Sequence, residues 1–380
     1  MKRGFAPDEY RARLDRAQAR MNDESLGAIL LTTEPDVRYF TGYLTRFWES
    51  PSRPWFVILP ASGLPIAVIP SIGAALMAQT WITDIRTWSA PDPADDGVTL
   101  LADALREVVG PSGGAVGVPS GPETHLRMPL GDYELLQAAS GLNFTHDYGI
   151  TASLRAVKSE AEIAKIAHIC TIATRAFDRV AQIACEGVAL SRVFRDFQRL
   201  LLEEGADWVP YLAGGAGPDG YGDVISPARD SALLRGDVMM LDTGAVWDGY
   251  FCDFDRNFAI GPASDQAKRA HAQLSDAVLA GEAAARPGAR ASDVFAAMAA
   301  ITGGGEGAGR LGHGLGMQLT EGLSLTAQDH SELRPGMVIT LEPGVVTGPD
   351  RLMVAEENIV IREGGAERLT RFSGKTLPVL

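Results

Sequence analysis

The chain has 380 residues, 46% hydrophobic and 22% charged, which is too long for one ordinary core and suits two soluble domains. A formal net charge of −14 sets aside a nucleic-acid partner, which would require a basic field. The chain has no run of about 18 apolar residues, so no membrane partner is expected, and the opening MKRGFAPDEYRARLDR lacks the apolar stretch of a secretory signal.

In chain order, DEYRARLDRAQARM has helical periodicity. GAILLTT, PWFVILP and PIAVIPS read as buried strands bounded by Pro or Gly, and WSAPDPAD, residues 88 to 95, as a loop. This alternation predicts a small α/β domain over 1–152. The character changes at residue 153. SLRAVKSEAEIAKIAHICTIATRAFDRVAQIA reads as one long amphipathic helix, with Ser159 and Glu162 as a capping box. Ser191, Ser264 and Ser292 announce three more helices. VMMLDTG, YFCDFDRNFAI, MVITLEPGVV and ENIVIRE are strand-like. The second domain, 153–380, is therefore expected to be α+β with an antiparallel sheet. Cys170, Cys185 and Cys252 are scattered and odd in number, as expected of thiols in a reducing cytoplasm.

GDVMMLDTGAVWDGYFCDFDRNF is the most informative stretch. Asp248-Gly249 is a hairpin-turn signal. With those two residues as the turn, Asp242 pairs with Asp255 and Gly244 with Asp253; a slip by one pairs Asp242 with Asp253. In either register Asp242, Asp253 and Asp255 share a face. Buried together they repel, at a cost of several kcal/mol each unless a divalent cation compensates. The same stretch also reads as an exposed acidic face. Glu342 ends an apolar strand ahead of Pro343-Gly344, and Glu356 opens another. With His313 in GHGLGMQLTEGLS these make a mixed oxygen and nitrogen donor set suited to Mn, Fe, Co or Zn, with carboxylates available to bridge two ions.

An aspartate, a second aspartate eleven residues on, then Gly-His-Gly-Leu-Gly, Leu-Glu-Pro-Gly and Glu-Glu-Asn-Ile-Val resemble the motifs of the pita-bread metallohydrolases. That superfamily includes methionine aminopeptidase, Xaa-Pro dipeptidase, aminopeptidase P, creatinase and ectoine hydrolase. PDVRYFTGY and LTRFSGKTLPVL resemble its N-terminal-domain motif and its usual end. The resemblance implies a C-terminal pita-bread catalytic domain behind a creatinase-like α/β domain, with two divalent metal ions. Asp242 would chelate, Asp253 and Glu356 would bridge, and His313 and Glu342 would complete the second metal site. Glu342 would also shuttle the proton. A homodimer is implied too, in which the aromatic loop at Phe47 and Trp48 covers a partner's site.

Three positions depart from the peptidases. Thr320 replaces a second histidine, Ile225 (beside Ser226) a substrate-binding histidine, and Val354 an arginine. The metal set is kept and the peptide-handling set is lost. Thr320, Glu321 and Asp255 are then the groups left to orient substrate, with Tyr221, Asp223 and Trp48 as further candidates. The expectation is a metal-dependent hydrolase of an amide-type C–N bond in a small molecule or dipeptide, with weak turnover of Xaa-Pro dipeptides. The alternatives are a non-peptidase metabolite enzyme, hydrolytic like ectoine hydrolase or eliminating like dimethylsulfoniopropionate lyase, and a metal-free binding protein. GGGEGAG, residues 303 to 309, lacks the Gly-Lys-Ser/Thr of a phosphate loop and reads as a flexible approach to His313.

Overall fold

A computed structural model describes residues 1–50, 54–110, 113–304 and 309–380. The centre of the glycine-rich 303–309 stretch and part of the loop after Trp48 lie outside the described residues. The chain divides into two compact units, Lys2–Arg155 and Ala156–Leu380, the latter with Met1.

The N-terminal unit runs α1 (Pro7–Asp23), β1 (Leu26–Leu31), α2 (Glu34–Thr41), β2 (Phe56–Pro60), β3 (Ile66–Pro70), α3 (Ala74–Met77), β4 (Asp84–Trp88), α4 (Val98–Val109), β5 (Ala115–Val118), α5 (Leu130–Ser140), β6 (Phe144–His146) and α6 (Ile150–Ala156). Its six-stranded mixed sheet has the order β4-β3-β2-β1-β5-β6. Every residue of β1, β2 and β3 is buried, which is why those strands read as continuous apolar runs. Leu101, Leu105 and Val109 of α4 pack on the sheet beside Leu30 and Ile58. Each such side chain contributes about 2 kcal/mol on burial.

The second unit continues with α7 (Glu160–Asp178), α8 (Leu190–Glu204), β7 (Trp208–Pro218), β8 (Asp237–Trp247), β9 (Tyr250–Phe251), β10 (Phe254–Ala259), α9 (Asp265–Ala284), α10 (Ala291–Thr302), β11 (Val338–Leu341), β12 (Gly344–Gly348), β13 (Arg351–Val354), β14 (Glu357–Arg362) and β15 (Gly365–Arg368). The pairings between these named strands are all antiparallel, as expected. Val193, Phe194, Phe197, Leu200 and Leu201 form the buried stripe of α8, at helical spacing.

The single helix expected from residue 153 is two. Between α6 and α7, Val157 forms a β-bridge with Met337, and that pairing overrides the helical periodicity. The Ser159–Glu162 capping box is present and starts α7. Ser264 caps α9, accepting from the Ala267 N–H. Ser191 does not cap α8: its hydroxyl bonds Asp230, and Ala189 holds the cap position. Ser292 lies inside α10, where Asp293 accepts the Arg290 N–H instead.

Candidate metal centre

The acidic hairpin forms in the first of the two expected registers. Asp248 and Gly249 have φ of +47° and +73°, as a two-residue type I′ turn requires, and Trp247 pairs with Tyr250. Asp242 is then the register partner of Asp255. On the other side of β8, Tyr211 pairs with Gly244 and Ala213 with Asp242, so Tyr211 shares the acidic face.

The second pair of acids comes from an equivalent arrangement. Leu341 pairs with Glu357, and Gly344 with Val354. Glu342 and Glu356 therefore occupy facing positions between the two ladders. A third segment adds the histidine. The Thr340 N–H donates to the His313 carbonyl at 2.8 Å, and the Glu342 N–H to the Leu311 carbonyl at 2.9 Å. Gly314 and Gly316 are required here: a Cβ on either would overlap Glu321, at its carbonyl and its carboxylate respectively.

Asp253, His313, Glu342 and Glu356 each offer a donor atom, all within 4.8 Å of one another. His313 Nε2 lies 3.3 Å from Asp253 and 2.9 Å from Glu342. Its Nδ1 faces the Gly314 carbonyl at 2.9 Å, which fixes the ring and turns Nε2 toward the acids. The Thr340 hydroxyl accepts from the His313 N–H and donates to Glu342. Asp253 is held through its backbone by both ends of the Asn358 amide.

The electrostatics mark a site short of positive charge. Burial, reinforced by Asp253, Asp255 and Glu342, pushes Asp242 well above the usual carboxylate range. Burial and the charges of Asp253 and Glu342 do the same to Glu356. Burial raises Asp253 to about 6 against the pull of His313. Burial would raise Glu342 also, but His313 and Thr340 hold it below its ordinary value. Burial works against the His313 imidazolium, yet Asp253 and Glu342 raise it to about 10. One oxygen each of Asp242 and Glu356 is buried without a hydrogen-bond partner. Orphaned carboxylate oxygens in a crowded, acid-rich site fit a divalent cation.

The expected substrate residues fall in other settings. Asp255 is buried, accepts the Glu356 N–H at 2.6 Å and faces the Asn257 amide at 3.4 Å. Glu321 is buried in an ion pair with Lys158 at 2.8 Å. Tyr221 is fully buried, accepting from the Val354 N–H and donating to Asn257. Asp223 is tied to Ile225 and Ser226 in its own turn. Trp48 belongs to the N-terminal unit, where its ring lies near Trp55 and the Arg127 guanidinium. Thr320 is partly buried in the loop after His313, and Ile225 is 79% exposed.

Sequence reading missed Tyr211, Thr340 and Asn358. Tyr211 interacts with Asp242, and its hydroxyl approaches the Val224 carbonyl at 3.4 Å. Burial and that acid push the phenol far up. Asn358 was visible as a lone amide on the apolar strand ENIVIRE; Tyr211 gave no signal.

Fold and site together define a hydrolase that works with a divalent metal. Residues 164–363 match Metallopeptidase family M24, and residues 13–157 match the Creatinase/Prolidase N-terminal domain. The chain is 29% identical over 375 residues to the probable dipeptidase PepE of Mycobacterium tuberculosis, covering 96% of this chain and 95% of that one. It is 29% identical to the Xaa-Pro dipeptidase of Pyrococcus horikoshii, over 92% and 94% of the two chains. The crystal structure of dipeptidase PepE from Mycobacterium ulcerans superposes with a TM-score of 0.84 at 28% identity, over 99% of both chains. The protein belongs to metallopeptidase family M24, and is a metal-dependent hydrolase of amide-type bonds.

Proposed function

We propose that the protein is a dinuclear metallopeptidase acting on short peptides, dipeptides foremost. The observation that carries this reading is the cluster of Asp253, His313, Glu342 and Glu356 beside the orphaned oxygens of Asp242 and Glu356. Those five residues would hold two ions, for which Mn, Co, Fe and Zn all suit the donor set. Bound there, the ions supply an activated water and Lewis-acid charge at the substrate carbonyl. Glu342 would accept the proton, as a ligand carboxylate beside that water. Asp255 positions Glu356 through its backbone N–H. Tyr211, protonated at neutral pH, offers a neutral donor beside the acids, and Thr320 a second hydroxyl.

The dipeptide class is supported by the names of relatives that match along more than nine-tenths of both chains, which weighs against the metabolite reading. Thr320 and Ile225 make Xaa-Pro turnover slow rather than absent. The domain division at residue 152 and a homodimer belong to the same reading; a monomer by light scattering that still turns over would remove the dimer.

The test is steady-state hydrolysis by manganese-loaded enzyme of a dipeptide panel beside small amides, ureido compounds and cyclic amidines. Cleavage of dipeptides is expected. Turnover confined to the non-peptides would overturn the reading.

A further inference from the structure

Three of the four clustered donors are governed by one rung of the sheet. Thr340 of β11 pairs with Asn358 of β14. Thr340 lies two residues before Glu342, and Asn358 two residues after Glu356. The Thr340 hydroxyl ties the His313 N–H to the Glu342 carboxylate. Asn358 does the corresponding work for Asp253.

Asp253 lies between β9 and β10, in neither strand. The Cys252 N–H donates across the hairpin to the Ala245 carbonyl at 3.0 Å. Hydrogen-bonding groups alternate sides along an antiparallel pair, so the N–H and carbonyl of Asp253 turn away from β8. β10 is the edge strand of its sheet, and among the described residues no backbone ladder serves that side. The Asn358 amide takes the place of one. Its Oδ1 accepts from the Asp253 N–H at 3.0 Å, and its Nδ2 donates to the Asp253 carbonyl. A primary amide offers a donor and an acceptor together, as a peptide group does; a carboxylate or an alkyl group cannot.

The amide is itself held. Asn358 is fully buried on the central strand of the β11-β14-β15 sheet. The Cys170 thiol of α7 donates to its Oδ1 at 3.4 Å, and its N–H donates to the Thr370 hydroxyl at 3.1 Å. Because the amide grips the main chain of Asp253, both carboxylate oxygens of that residue stay available to the site.

We propose that Asn358 is a positioning residue of the centre: it clamps Asp253 to the strand that begins beside Glu356, and so sets the arrangement of the two acids before any ion arrives. The inference rests on the metal-centre reading above and not on the substrate class.

The experiment measures manganese binding calorimetrically on metal-free wild type, Asn358→Ala and Cys170→Ala. Asn358→Ala should weaken binding about 10–100-fold, as loss of a group that orients a ligand does. Cys170→Ala removes a contact to the same amide but leaves both bonds to Asp253, and its affinity should stay within about threefold of wild type. Unchanged affinity in Asn358→Ala, or equal losses in the two variants, would overturn the inference. A second measurement needs no variant. In the metal-free wild type the Asp253 amide should exchange its hydrogen about a hundredfold or more slowly than an open chain does. Unprotected exchange would overturn the inference even if Asn358→Ala fails to fold. Wild type that binds manganese but cleaves no dipeptide would overturn the peptidase reading and leave this inference standing; wild type that binds no manganese would overturn both.

Discussion

Asp242 and Asp255 are register partners across β8 and β10, yet their carboxylates face different tasks. Asp255 spends one oxygen on the Glu356 N–H. Asp242 keeps one oxygen buried and without a hydrogen-bond partner. Asp242→Ala should therefore lower the metal content and abolish turnover. Asp255→Asn should retain the metals but weaken their binding or the rate by about 10–100-fold, as residues that orient ligands do. Elemental analysis beside kinetics checks both. Full metal content and activity in Asp242→Ala would remove it from the ligand set.

Chelation should destabilise the protein more at pH 8 than at pH 5. Asp253 is raised to about 6 from 3.8 in the metal-free fold, chiefly by burial. A group raised in this way stabilises the fold below its unfolded pKa and loses that contribution as pH rises through about 6. Metal binding, which needs the ionised acids, strengthens over the same interval. Saturation at a hundredfold over Kd adds about 2.7 kcal/mol. The measurement is the melting temperature with and without manganese at the two pH values. A chelation effect that shrinks from pH 5 to pH 8 would contradict the electrostatic account.

Thr320→His should raise turnover of Xaa-Pro dipeptides by about tenfold or more, since one well-placed donor to a developing oxyanion is worth at least that. The gain should appear in kcat. An unchanged or lower kcat would mean that the loop after His313 does not present residue 320 to the scissile carbonyl.

Lys158→Met should cost about 3 kcal/mol by leaving the buried Glu321 carboxylate without the cation that neutralises it. Lys158→Met with Glu321→Leu should recover most of it. Denaturant unfolding of the two single variants and the double variant closes the cycle. An additive double variant would show that the 2.8 Å ion pair carries no coupling.

Much of the site was legible because hairpin rules are local. Asp248-Gly249 fixed a turn, the turn fixed a register, and period two placed Asp242 and Asp255 opposite each other. Glu342 and Glu356 were found as acids at the ends of apolar strands, a pattern that survives without knowing which strands pair. Failures came where a distant segment decided the outcome. Glu321 looks like a free acid until Lys158 is brought to it, and Tyr221 looks like a loop residue until Leu352 pairs with it. Val157 continues a helical pattern, yet Met337 draws it into a bridge. Ser191 has the composition of a cap, but Asp230 takes its hydroxyl. These contacts carry no local sequence period.

The four clustered donors come from the residue just ahead of β10, the 311–315 segment, and the residues that join β11 to β12 and β13 to β14. On a ribosome, Asp242 and Asp253 emerge long before Glu356 is translated. The nascent chain thus exposes acids that have no shared geometry, and domains generally fold as units once their sequence is available. On the proposed reading, cation capture is consequently a late event in biogenesis: it would certify that the last ladder has closed, and a chain stalled before Glu356 would lack a complete centre with which to sequester metal.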